Sequence, residues 1–406
     1  MPSRGASPPA VVVGLCSHGL STVRALHSQG VAVHALESNR ALPGARTRQA
    51  RVHWVGEING PDLLSGLKTV RPAIDSGEPP VLYLMNDNMV REVALRWPEI
   101  EGQYRLSWAD SRTSVLRLLQ KSELQTRCRE VGLQYSPAEV LFDEQQIEAV
   151  CCHLRAPFVV KPVKPLSRFK VELLSSAAEL HQLVQAYGSE LPFLVQQWVA
   201  GGDQDLIFCA FYFDRGQVLA RFVGRKVRSC PPALGQTTVA IPAPDARAVA
   251  AAERFFEGLE LSGPASLELK RDADGTLWVI EPTVGRTDFW LECCSANGVN
   301  LPFVEYCHAT GRTLPASKQS RHRIWMDTER EPRALFWYLL SPRGWPRLRL
   351  LIAFPYLRLG DLRPFLSATR ARVGRFPGKV ARRLLRLFRP PPVSNPRGES
   401  WHPSRH

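Results

Sequence analysis

Ser266–Arg286, SLELKRDADGTLWVIEPTVGR, decides how this chain folds and where its chemistry sits. Asp274-Gly275 stands between two strand-like runs, and Asp-Gly in that setting is a strong hairpin signal. If those two residues are the whole loop, Ala273 faces Thr276, Arg271 faces Trp278, Leu269 faces Ile280 and Glu268 faces Glu281. The last pair falls at a non-hydrogen-bonded position, where side chains approach most closely and two carboxylates repel. Three outcomes are open: a solvated face of loose register, a bulge that separates the pair, or a divalent cation that compensates the charge. Two carboxylates and the phosphates of a nucleotide together make a shell for Mg²⁺.

The rest of the chain is long enough for two or three domains with real cores. Its net charge of +14 is uneven: residues 320–406 hold 19 Lys/Arg and 5 Asp/Glu, and the remainder balances at 33 against 33. A neutral body and a basic tail need separate explanations. The nine cysteines include two adjacent pairs, Cys151-Cys152 and Cys293-Cys294, and no CxxC. That pattern is neither a disulfide framework nor a zinc site, and it predicts reduced thiols in a cytoplasmic protein. The apolar run after Met1–Ala10 is too short for a signal peptide, and no stretch of about 20 apolar residues spans a bilayer.

In chain order, Ala10–Leu15 reads as a buried parallel strand, Gly14–Gly19 as a glycine loop opening a helix, and Val31–Glu37 as a second strand. Such a loop presents backbone N–H groups at a helix N-terminus, but it lacks a full GxGxxG and is equally a plain strand–helix turn. Pro80–Met85 is a further strand, with Asn86-Asp87-Asn88 at its C-terminal end, where open α/β sheets place ligand contacts and where helix caps look the same. Thr113–Gly132 reads as one helix carrying Lys121. Phe158–Pro162 is a strand ending on Lys161, and Phe193–Val199 is a strand broken by Gly201-Gly202. A lysine ending an apolar strand either snorkels or pairs with an anion such as phosphate. Lys164–Lys170 is either a solvated loop or a basic flap over phosphates.

The order of these features resembles the ATP-grasp superfamily, its carboxylate–amine ligases in particular, and within them the D-aspartate-ligase-like branch. The resemblance runs from about Val11 to Leu314. It implies an N-terminal open parallel-sheet domain over residues 9–112, a two-subdomain α+β ATP-grasp domain over 113–316, and a basic, partly disordered extension over 317–406. It further implies that Lys121, standing before GLQYSP, and Lys161, in a strand-ending Lys-Pro, meet the nucleotide. In QQWVAGG it implies backbone contacts from Gln197 and Val199 to adenine, with Asp205 or Asp203 on the ribose. Glu268, Glu281 and Thr283 match the metal positions, Thr283 standing where the family has asparagine. Lys226 and Arg228, in GRKVRSCPPALG, match a basic loop facing phosphates or substrate. Arg286 matches the family's catalytic arginine, displaced by one position.

Joining a carboxylate to an amine requires activation of the carboxylate, which ATP supplies through an acylphosphate. Lysines and Mg²⁺ neutralise phosphate charge, and the bidentate fork of an arginine suits a carboxylate or acylphosphate. The resemblance therefore implies an ATP- and Mg²⁺-dependent ligase acting on small-molecule carboxylate and amine substrates. A nucleotide-binding module without turnover is the alternative, as is an adaptor acting through the tail. In residues 331–389 arginines alternate with Leu, Phe, Trp and Pro, and Leu384, Leu385 and Phe388 share a helical face among arginines. That pattern predicts a peripheral contact with an anionic membrane surface ahead of nucleic acid, for which no motif is present.

Overall fold

The computed structural model describes residues 7–163, 167–169, 171–335 and 352–372. Its first sheet contains β1 (Ala10–Val13), β2 (Val33–Glu37), β3 (Arg51–Trp54) and β4 (Val81–Leu84) in the order β3-β2-β1-β4, all parallel. β1 and β4 are buried along their whole length, as parallel strands covered on both faces must be. β3 has no such apolar run and forms a half-exposed edge, so hydrophobic periodicity does not mark it. The chain leaves β1 toward β2 on one side while β4 lies on the other, a topological switch point between adjacent parallel strands. The two loops that meet there lead into helices Ser17–His27 and Asp87–Arg96. They touch through His18 Nε2 and the Met85 carbonyl at 2.8 Å. Glycine is required at position 19, where a Cβ would lie 2.0 Å from the Gly14 carbonyl oxygen.

Thr113–Gly132 is not one helix. It is broken into Arg112–Leu118 and Lys121–Glu130 by the extended backbone of Gln120, so Lys121 opens the second helix. After β5 (Gln134–Tyr135), a small antiparallel sheet follows: β6 (Ala138–Leu141), β7 (Phe158–Pro162), β8 (Glu172–Leu174) and β9 (Phe193–Gln197), in the order β6-β9-β7-β8. Strand alternation sorts its residues. Phe158, Val160, Phe193 and Val195 enter the core under helices Ile147–His153 and Ala177–Tyr187. Val159, Lys161 and Gln196 take the opposite face.

The large sheet is built from β10 (Leu206–Asp214), β11 (Gln217–Cys230), β12 (Gln236–Pro242), β13 (Gly263–Arg271) and β14 (Leu277–Val284), all antiparallel, with β5 added at the β14 edge. GRKVRSC, expected as a loop, is the end of the fourteen-residue β11; only the short connection before β12 turns.

At the other edge stand β15 (Ile324–Met326), paired with β12, and β16 (Ile352–Ala353), paired with β15. The basic extension expected to start at residue 317 therefore contributes two strands to the main sheet. It then crosses to the first domain, where Asp361 is buried against Arg24. Asp361 also accepts from Thr47 Oγ1 at 2.7 Å, and Arg24 donates to the carbonyls of Pro355 and Tyr356 at 2.7 and 3.0 Å. A buried ion pair is tolerated when its remaining hydrogen-bonding groups are filled in this way. Phe336–Leu340 and the Leu384, Leu385 and Phe388 face lie outside the described residues. No helix of the described residues is long and apolar enough to cross a membrane. All nine cysteines are free thiols.

Candidate active site

Glu268 and Glu281 are directly opposed across β13 and β14. The register that puts them there is not the one a two-residue loop gives. Asp272 accepts from the N–H groups of Asp274 and Thr276 and from Trp278 Nε1, at 3.1, 2.8 and 2.7 Å. This Asx turn widens the loop to three residues, so Leu269 faces Val279 and Arg271 faces Leu277. A bulge between Glu268 and Leu269 then takes up one residue and restores the glutamate pair. Glu268 has Phe208 as its neighbour on β10, and Phe208 stacks on Trp290 at 4.2 Å between ring centroids. Burial against this wall pushes the Glu268 carboxyl up to about 7, with Lys226 opposing the shift and Asp288 and Glu281 adding to it.

The pair faces a cavity of about 320 Å³ between the small and large sheets. Four lysines line it: Lys121, Lys161, Lys226 and Lys270. Lys121 reaches in from the first turn of its helix and donates to the Pro162 carbonyl at 3.3 Å, beside Lys161. Burial lowers its pKa, Glu281 opposes that and Lys161 reinforces it. Lys226 is buried on β11. Lysine clusters of this kind are costly without an anion to share.

Gln197, the last residue of β9, and Val199, two residues beyond it, lie on the cavity wall. The Gln197 carbonyl accepts from Ser136 Oγ at 2.6 Å, and its N–H is spent on Pro137 O. The Val199 carbonyl is held by Lys270 Nζ at 2.8 Å, and that ammonium also sits 3.7 Å from the Trp198 ring centroid. A carbonyl and an N–H two residues apart on one wall offer the acceptor and donor that an adenine edge needs. Burial lowers the Lys270 pKa to about 8, against the pull of Asp205 and Asp203. Sequence reasoning missed Lys270, yet the signal was there: it stands two residues after Glu268, on the same face of one strand. Gln196 and Ser136 were also missed, although they stand inside QQWVAGG and GLQYSP, because the resemblance points there only to Gln197, Val199 and the preceding Lys121.

Other expected residues have partners of their own. Asp203 is taken by Ser229, through N–H at 2.8 Å and Oγ at 2.6 Å, and Asp205 accepts from the Gly202 N–H at 2.8 Å. Neither lines the cavity, although Asp205 remains at its hinge end. The Arg228 guanidinium is ion-paired with Glu331 and also lies outside the lining. Thr283 donates to Asp288 at 2.9 Å, which brings a further carboxylate, absent from the sequence-derived set, beside the metal positions. Arg286 reaches across to the first domain and binds Asp87 at 2.6 Å. Burial alone would lower its pKa; Asp87 and Asp288 outweigh that and raise it. The flap is described only in part. Arg168 pairs with Glu190 and Phe169 is buried between Tyr187 and Phe193, whereas Lys164 and Lys170 lie outside the described residues.

A parallel-sheet domain, a small antiparallel sheet and a large one, with a lysine- and glutamate-lined cavity between the last two, define the ATP-grasp fold, and the chain has it. Solved structures share it. An N5-carboxyaminoimidazole ribonucleotide synthetase bound to ADP superimposes with a TM-score of 0.64 at 15% identity, over 86% of this chain and 92% of that one. The corresponding synthetase from Staphylococcus aureus, also with ADP, gives 0.65 at 13%, over 83% and 88%. An L-amino acid ligase from Bacillus licheniformis gives 0.56 at 15%, over 76% and 75%. In sequence, the chain is 24% identical to a D-aspartate ligase of Enterococcus faecium over 247 residues, 52% of this chain and 55% of the relative. It thus spans about half the length of the curated relative it matches. No protein-family profile matches the chain.

Proposed function

We propose that this protein is an ATP-dependent ligase that joins a carboxylate to an amine through an acylphosphate. The observation that carries this is the convergence of Glu268, Glu281 and four lysines on one cavity closed by a backbone hinge. Opposed carboxylates and clustered lysines are each unfavourable alone, and Mg²⁺ with a nucleoside triphosphate relieves both. The donor set fits Mg²⁺, since both groups are hard oxygen ligands and Glu268 lacks a counter-charge sufficient to hold its pKa down. Glu268 and Glu281 would hold the ion, which supplies charge neutralisation at the phosphates.

In this proposal Gln197 O and Val199 N–H take the adenine edge, while Lys121 and Lys161 take phosphate oxygens. Lys226, beside Glu268, stabilises charge on the phosphoryl group as it passes to the substrate carboxylate. Arg286 is held by Asp87 at the junction of the two domains and orients the carboxylate or acylphosphate. The amine then attacks the acyl carbon and phosphate leaves. The names of the relatives support an amino acid as one substrate. The test is phosphate release from ATP across pairs of amino acids, D-aspartate included. Transfer of isotopic oxygen from the carboxylate to the released phosphate is the expected signature of the acylphosphate. ATP cleavage without that transfer would remove the ligase mechanism.

A further inference from the structure

Four of the large apolar side chains that stand exposed among the described residues fall within one ten-residue stretch: Leu357, Leu359, Leu362 and Leu366. Leu359 is 90% exposed, at the tip of the loop that precedes helix 363–372. Leu362 and Leu366 are one turn apart on the outer face of that segment, and Arg370 continues the same stripe a turn later. Pro364 and Ala368 turn inward. The loop cannot fold these leucines in, because Asp361 and its hydrogen bonds to Arg24, Thr47 and the Arg48 N–H clamp its base to the first domain.

The exposed charge among the leucines is basic. Residues 352–372 hold Arg358, Arg363, Arg370 and Arg372 and a single acidic residue, Asp361, which is buried against Arg24. Arg358, Arg363 and Arg370 are exposed among the leucines, and Arg46 and Arg48 are exposed on the neighbouring loop that binds Asp361. Two carboxylates take arginines of this segment: Glu292 lies 3.7 Å from the exposed Arg358 and Glu329 holds Arg372 at 2.9 Å. Monomeric surfaces seldom gather exposed leucines this way, and a basic rim calls for an anionic partner surface. Apolar tips ringed by arginine match a bilayer interface, where leucine enters the acyl boundary and guanidinium groups stay at anionic headgroups.

We infer that residues 357–366 form a membrane-docking edge that inserts its leucines into an anionic lipid surface. Its base is rigid, so the edge holds the body in one orientation at the bilayer. This inference is independent of the ligase chemistry, since none of these residues lines the nucleotide cavity.

The experiment is co-sedimentation of the full chain with vesicles of phosphatidylcholine alone and of phosphatidylcholine with phosphatidylglycerol. Wild type should bind the mixed vesicles and not the neutral ones. The double variant Leu359→Glu, Leu366→Glu should bind them at least about tenfold more weakly, with unchanged melting temperature and ATP cleavage. Arg363→Gln with Arg370→Gln should weaken binding and its salt dependence together. Binding by the leucine variant equal to wild type would overturn the inference, as would failure of wild type to bind. A lipid-free dimer that the leucine variant dissolves would also overturn it, by assigning the face to a second copy of the chain.

Discussion

Arg24 with Asp361, and Glu268 with Glu281, are two charge pairs treated in opposite ways: the first pair is buried, whereas Glu268 is half-buried at the cavity and Glu281 is exposed. Each oxygen of Asp361 meets a donor, and Arg24 is spent on that carboxylate and on backbone carbonyls. Glu268 meets a second carboxylate across the strand and a third nearby, and its pKa rises toward neutrality. Satisfied charge ties the chain's late segment to its first domain. Unsatisfied charge marks a place that a ligand completes. Complementarity is what separates the structural pair from the candidate functional one.

The largest effect should come from breaking the satisfied pair. Asp361→Ala leaves Arg24 buried without its partner and should lower stability by about 3–5 kcal/mol, read by denaturant unfolding. If Asp361→Ala melts like wild type, the late segment is not part of the folded body. Next is Lys161→Ala, which should cut ATP-dependent turnover by about a hundredfold or more with the melting temperature unchanged. Wild-type nucleotide affinity and turnover in that variant would remove Lys161 from the site.

A third effect is smaller and depends on pH. Glu305 is buried, donated to by Ser107 Oγ at 2.6 Å, and burial pushes its carboxyl up to about 8; Glu268 lies at about 7. Both are raised above their unfolded values, so the folded state binds more protons between about pH 4.5 and 8. Metal-free stability should therefore fall as pH rises through that window, by on the order of 1–3 kcal/mol. Glu305→Gln should flatten part of the slope, and stability that rises with pH across the window would contradict both assignments. The smallest effect is expected at the hinge. Lys270→Met releases the Val199 carbonyl and should weaken nucleotide binding about fivefold, measured by calorimetry. Unchanged affinity would mean that Lys270 does not position the hinge.

What the sequence made legible follows the same division. The glutamate pair was readable because strand alternation and a turn signal are local. Even so, its register was reached through two offsetting departures, the Asx turn at Asp272 and the bulge after Glu268. Lys161 was singled out by its position at a strand end, whereas Lys121 was read inside one helix and singled out only by the family resemblance; the break at Gln120 that makes it open a helix was not legible. Arg228 read as a phosphate ligand because its partner, Glu331, is 103 residues away and no local pattern joins them. The late segment read as a basic tail for the same reason: β15 is three residues long, β16 two, and Asp361 is a single acid among arginines. Long-range pairing of short elements leaves no periodicity to read.

The most direct measurement is made on Glu268→Gln, with metal-free stability and ATP turnover taken on the same preparation. Glutamine keeps the shape and removes the charge that opposes Glu281. At pH 8 the metal-free variant should be at least as stable as wild type, because the carboxylate it lacks is deprotonated and unfavourable there. Its turnover should nevertheless fall by about a hundredfold, because the cation site loses a charged ligand. A variant that is less stable and still turns over at the wild-type rate would show Glu268 to be a structural carboxylate, and would contradict the assignment of this cavity as the site of the reaction.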